Sequence, residues 1–94
     1  MPILEDWFIN ERENLCGAVY GHPIPRHEDG KHIKTSTIMQ LNMHDWTAEV
    51  ASGRIYYLGK PSKEYTEWLI KNGWDSGLLL KKRLEEYEGS NDRG

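Results

Sequence analysis

The segment KHIKTSTIMQLN, Lys31 to Asn42, is rich in β-branched residues, and its apolar positions change parity partway along: Ile33 gives way to Ile38, then to Met39 with Leu41. Side chains alternate faces along a strand, so a shift of one residue sends every later side chain to the opposite face. The segment therefore keeps one face inward only if a bulge or sharp bend falls near Thr35 to Thr37. A sheet built around such a strand cannot be flat.

The flanking segments agree. LCGAVYG (Leu15 to Gly21) is short, small and apolar and reads as a strand. Asp29-Gly30 supplies a turn pair before Lys31, because both residue types tolerate positive φ. TAEVAS and RIYYLG flank Ser52-Gly53 as a hairpin, with Ala48 and Val50 inward and Thr47, Glu49 and Ala51 outward. Four to five short antiparallel strands, the longest of them bent, make a strongly curled sheet or small barrel, which hides the edges a flat sheet exposes.

Helical signals occupy both ends. Ile3, Leu4, Trp7 and Phe8 share one side of a helix over residues 2 to 11, with a strand through Trp7, Phe8 and Ile9 as the competing reading. In KPSKEYTEWLIKNG, Pro61 and Ser62 mark a start and Glu64 sits in the first turn. Tyr65, Trp68 and Leu69 share a face, and Asn72-Gly73 ends the helix. A second helix follows, capped by Asp75 or Ser76, with Leu80, Leu84 and Tyr87 as its stripe. The expected organisation is one α+β domain over residues 1–88 and a loose, apolar-free tail over residues 89–94.

Ninety-four residues with a net charge of −3 suit one small domain and disfavour broad nucleic-acid affinity. The charge is uneven: −3 over residues 1–20, +2 over residues 21–63 and −2 over residues 64–94. A single cysteine, Cys16, rules out an internal disulfide framework. No apolar run approaches a bilayer span, and the first ten residues lack the pattern of a secretion leader, so the expected setting is the cytoplasm with no membrane partner.

Catalytic machinery is hard to assemble from these residues. His22, His27 and His32 are evenly spaced in a loop beside Glu28 and Asp29, but their gaps of five residues do not match close-pair zinc spacing, and a polar turn is the simpler reading. His44, before Asp45, reads as a turn residue too. Cys16 lies in an apolar strand, which suits a buried, inert thiol. No glycine-rich phosphate loop is present. No cofactor, metal site or catalytic residue is expected. Trp46, Tyr56, Tyr57 and Trp74 cannot all be interior in so small a domain, and aromatics beside Arg54 suit an interface. The plainer alternative is that Tyr57 and Trp74 fill the core between sheet and helices while Trp46 is a half-exposed loop residue.

The run CGAVYGHP, then Arg26-His27-Glu28-Asp29-Gly30 leading into IKTSTI, then SGRIYYLGKP with YTEWL behind it, resembles a family of small uncharacterised proteins of bacteriophages, prophages and plasmids. The resemblance covers roughly residues 15–70; His27 and Glu28 depart from it, standing where the family has an aromatic and a proline. It implies a genetic setting in which small acidic proteins act, by analogy, as stoichiometric antagonists of host defence, anti-CRISPR proteins among them. The expectation is a non-enzymatic protein-binding module in the bacterial cytoplasm, directed at a host protein or ribonucleoprotein complex. Trp46, Glu49, Arg54 and Tyr56 would make contacts on the sheet side, with Glu85, Glu86 and Glu88 as an acidic helical patch. Two alternatives stand beside it: a small nucleic-acid-binding barrel using Lys31, Lys34, Arg54 and Tyr56, and a metal-dependent hydrolase built on His22, His27 and His32.

Overall fold

A computed structural model of the chain describes residues 1–91, with side chains through Glu88. Five strands come first, β1 (Ile3–Ile9), β2 (Asn14–Tyr20), β3 (Lys31–Asn42), β4 (Thr47–Val50) and β5 (Ile55–Leu58), followed by helices α1 (Lys63–Lys71) and α2 (Asp75–Asn91). Each strand pairs antiparallel with the next, and β1 pairs with β5 to close a barrel. In an up-and-down meander of five strands the first and last run the same way, so the closing seam must be parallel. It is, with Ile3 opposite Tyr57 and Leu4 opposite Leu58. The chain is thus an α+β domain built on a small closed barrel.

The expected N-terminal helix is a strand. Asp6 adopts φ 52°, and the β1–β2 register shifts between Glu5 and Phe8. That bulge places Leu4 and Trp7, three residues apart, on the same inward side, and both are completely buried. Asp tolerates left-handed backbone better than most residues, which is why the break falls there.

β3 bends where its parity requires. One register shift against β2 lies between the pairs Cys16↔Lys34 and Asn14↔Thr37. A second, against β4, lies between Ile38 and Gln40. The second bulge turns Met39 out to solvent, while Leu41, opposite the inward Ala48, keeps the inward side yet is 39% exposed near the end of the strand.

The core joins Leu4, Trp7, Leu15, Val19, Ala48, Val50, Tyr56 and Leu58 from the barrel to Leu69 and Leu80 from the helices. Ser62 caps α1 by accepting from the Tyr65 amide at 3.3 Å. At the other end Gly73, at φ 78°, donates to the Ile70 carbonyl while Trp74 donates to that of Leu69, a Schellman ending. The buried face of α1 is Thr66 with Leu69, and Trp68 is exposed instead of sharing it. Leu80 and Leu84 are buried along α2, with Tyr87 half-buried, as their spacing requires. α2 continues to Asn91, into the segment expected to be loose; residues 92–94 lie outside the described residues.

Arg83 fastens α2 to the barrel. Its Nη2 donates to the Leu58 carbonyl at 2.7 Å and its Nε to the Gly59 carbonyl at 3.1 Å, while the guanidinium lies 4.0 Å from the Trp46 ring centroid. No helix among the described residues is long and apolar enough to cross a membrane.

Candidate functional site

Tyr56 and Tyr57 are adjacent on β5, and strand alternation sends them to opposite sides. Tyr56 points into the barrel and is 4% exposed; Tyr57 points out and is 44% exposed. The surface aromatic on this strand is therefore Tyr57, not Tyr56. Cross-strand pairing places Gln40, Glu49 and Ile55 in one exposed row, and the exposed Tyr57 between the half-buried Thr47 and Ile3 in the next. The outer face of β4, β5 and β1 thus joins the expected contact Glu49 to two large exposed hydrophobics, Ile55 and Tyr57.

The other expected contacts are dispersed. Trp46 is half-buried in the β3–β4 turn at φ 56°, beneath the Arg83 guanidinium. Left-handed backbone is uncommon for so bulky a residue. It is held by the Trp46 carbonyl accepting from the Leu58 amide and by the ring's packing against the core. Glu85, Glu86 and Glu88 are all exposed. Glu85 and Glu88 border a groove of about 360 Å³ between α1 and α2, and Glu86 borders a separate cleft beside Trp46 and Arg83. Lysines border both clefts as well, Lys63, Lys71 and Lys81 in the first and Lys82 in the second. Trp74, proposed as core filler in the plainer reading, is 59% exposed.

Arg54 sits at a different place, the mouth of the barrel beneath the loop before β3. There a cleft of about 270 Å³ is bordered by His22, His27, Ser36, Ser52, Arg54 and Tyr56, among others. His22 Nδ1 accepts from the Ile24 amide at 3.1 Å, which leaves the proton of the neutral ring on Nε2, 3.0 Å from the Tyr56 hydroxyl. His22 and His27 meet edge to face with ring centroids 4.5 Å apart. Burial foremost, then the charges of Arg54 and His27, hold His22 below its ordinary pKa; burial raises that of Tyr56, with Arg54 opposing.

This geometry bears on both alternatives. His32 lies on β3 opposite Ala18 and is not part of the imidazole pair. Among the described residues no group of three or more His, Cys, Asp or Glu side chains is placed to hold a metal ion. The Tyr56 ring is buried and offers no face for a stacked base, while Lys31 Nζ donates to the Arg26 carbonyl at 3.2 Å. Cys16 is a buried free thiol whose pKa is raised by burial, with Lys34 opposing.

Sequence reasoning missed Arg83, Ile55 and the His22–Tyr56 contact. The outward parity of Ile55 and Tyr57 was readable from Ala48 and Val50 across the hairpin. The loop contact had no periodic signal to find. Comparison with protein-family models, with curated proteins and with solved structures gives no match.

Proposed function

We propose that the protein is a non-enzymatic binding module that attaches stoichiometrically to another protein through the outer face of β4, β5 and β1. The observation that carries this reading is the contiguous exposure of Ile55 and Tyr57 beside Glu49. A closed barrel has no free strand edge to pair with, so its contacts must come from side chains. Exposed tyrosine bordered by aliphatic and charged groups is the composition of interface centres. Trp68 and Leu78 on the helices, and Trp74 in the turn between them, extend the supply of exposed apolar surface. Following the phage and plasmid resemblance, the partner is a bacterial host protein or ribonucleoprotein complex, and the role is inhibition of a defence system.

The test is affinity capture from bacterial lysate with wild-type protein and an Ile55→Ser/Tyr57→Ser double variant, alongside phage plating on strains carrying defined defence systems. A stoichiometric partner retained by the wild type and lost by the variant is expected, with phage protection lost in parallel. Absence of both partner and protection, or capture unaffected by the double substitution, overturns the reading.

A further inference from the structure

The cleft at the barrel mouth combines hydrogen-bond donors with two cationic side chains, Arg54 and Lys34, and offers the hydroxyls and Arg54 little to bind within the protein. The Tyr56 hydroxyl accepts from His22 Nε2, because the Ile24 amide occupies Nδ1, so its own O–H remains to be donated. Ser36 Oγ likewise accepts, from the Ser52 amide at 3.1 Å, and keeps its hydrogen. Among the described residues Arg54 has neither an ion-pair partner nor a side-chain hydrogen bond, yet its charge reaches Tyr56 and His22. His27 Nδ1, in the wall of the same cleft, is buried with no hydrogen-bond partner. A buried polar atom left unmet is costly, and it adds to the polar strain in the wall of this cleft.

The chemistry selects the ligand. Hydroxyl and guanidinium donors gathered without a carboxylate favour an anionic oxygen acceptor and repel metal cations. A volume of about 270 Å³ admits a small molecule or a single acidic group but not a nucleic-acid strand. We propose that this cleft binds a compact oxyanion, a phosphate or carboxylate group, with Arg54 as counter-charge and the Tyr56 and Ser36 hydroxyls as orienting donors. The site is separate from the outer sheet face of Ile55 and Tyr57, and it does not depend on that face having a partner.

The experiment is an amide and side-chain NMR titration of the full chain with inorganic phosphate and, separately, with acetate, each against chloride at matched ionic strength. Saturable shifts confined to the cleft lining, His22, His27, Lys34, Ser36, Arg54 and Tyr56 foremost, are expected; saturation by phosphate alone or by acetate alone identifies the source of the oxyanion. Arg54→Gln should weaken binding about tenfold or more, and Tyr56→Phe severalfold, the scale of one charge-assisted and one neutral hydrogen bond. The spectra themselves report whether each variant is folded, and Arg54→Lys, which keeps the charge, should bind with intermediate strength. The Ile55→Ser/Tyr57→Ser variant should titrate as the wild type does. Shifts that grow linearly, match those of chloride, or saturate equally in Arg54→Gln overturn the proposal.

Discussion

At the scale of single residues, His22 shows how one backbone amide sets the chemistry of a side chain. The Ile24 N–H occupies Nδ1, so protonating that nitrogen would oppose two hydrogens across 3.1 Å. Burial, Arg54 and His27 add to the penalty and hold the pKa below the ordinary value of about 6.5. Between the depressed native value and that of the unfolded chain, the folded protein binds fewer protons, so stability rises with pH in that window. The contribution is complete above the unfolded value and is lost as pH falls through the native one. His22→Asn offers an amide oxygen to the Ile24 N–H and cannot titrate. Urea midpoints taken between about pH 7.5 and pH 5 should therefore fall more steeply for wild type than for His22→Asn. Parallel slopes would remove His22 from the acid response. The Tyr56–Tyr57 pair carries a related lesson: one position of parity separates a residue that fills the barrel from one that faces solvent.

At the scale of elements, legibility tracked how local the determining interaction is. α1 was readable because its start and stop signals lie in or directly beside its own sequence: the Ser62 cap, Glu64 in the first turn and Gly73 with positive φ. The bend in β3 was readable near Thr35 to Thr37 because parity demands it, but the second bulge at Met39 was not, since one parity break can hide another. β1 was misread because its bulge spaces Leu4 and Trp7 by three, the interval a helix would also give. The cleft at the barrel mouth was illegible: His22 and Tyr56 are brought together by a loop and a strand 34 positions apart. The β1 bulge also explains why Gly17 stands opposite it. A Cβ there would lie 2.9 Å from the Glu5 carbonyl oxygen and 3.1 Å from Trp7 Cα, both backbone atoms that cannot swing aside. Gly17→Ala should destabilise the fold by about 1–3 kcal/mol, the range of core overpacking. Chemical denaturation would show it as a lower midpoint with an unchanged slope. A neutral result would mean that β1 and β2 can separate at the bulge.

At the scale of the whole molecule, an odd number of strands sets where the barrel is weakest. The four antiparallel ladders follow from chain order, but the parallel seam between β1 and β5 has only two paired positions to close it. The chain reinforces that seam from outside the sheet. Trp7 Nε1 donates to the Gly59 carbonyl at 3.0 Å, the Lys60 amide donates to the Glu5 carboxylate at 2.7 Å, and the Ser62 amide to the Trp7 carbonyl at 2.8 Å. Arg83 then reaches across from α2 to the Leu58 and Gly59 carbonyls, so the helices act as a clasp on the end of β5. Arg83→Met keeps an apolar stem of similar length and removes both donors together with the cation over Trp46. The expected loss is about 1–3 kcal/mol, scaled down from a fully buried charged hydrogen bond because Arg83 is half-exposed. The distribution of the loss is the sharper test. Native-state hydrogen exchange should show the Tyr57 and Gly59 amides, which bond to Pro2 and Leu4 across the seam, losing protection well beyond the β2–β3 amides. Uniform loss across all strands would mean that the barrel opens as one unit and that α2 steadies the whole molecule, not its seam.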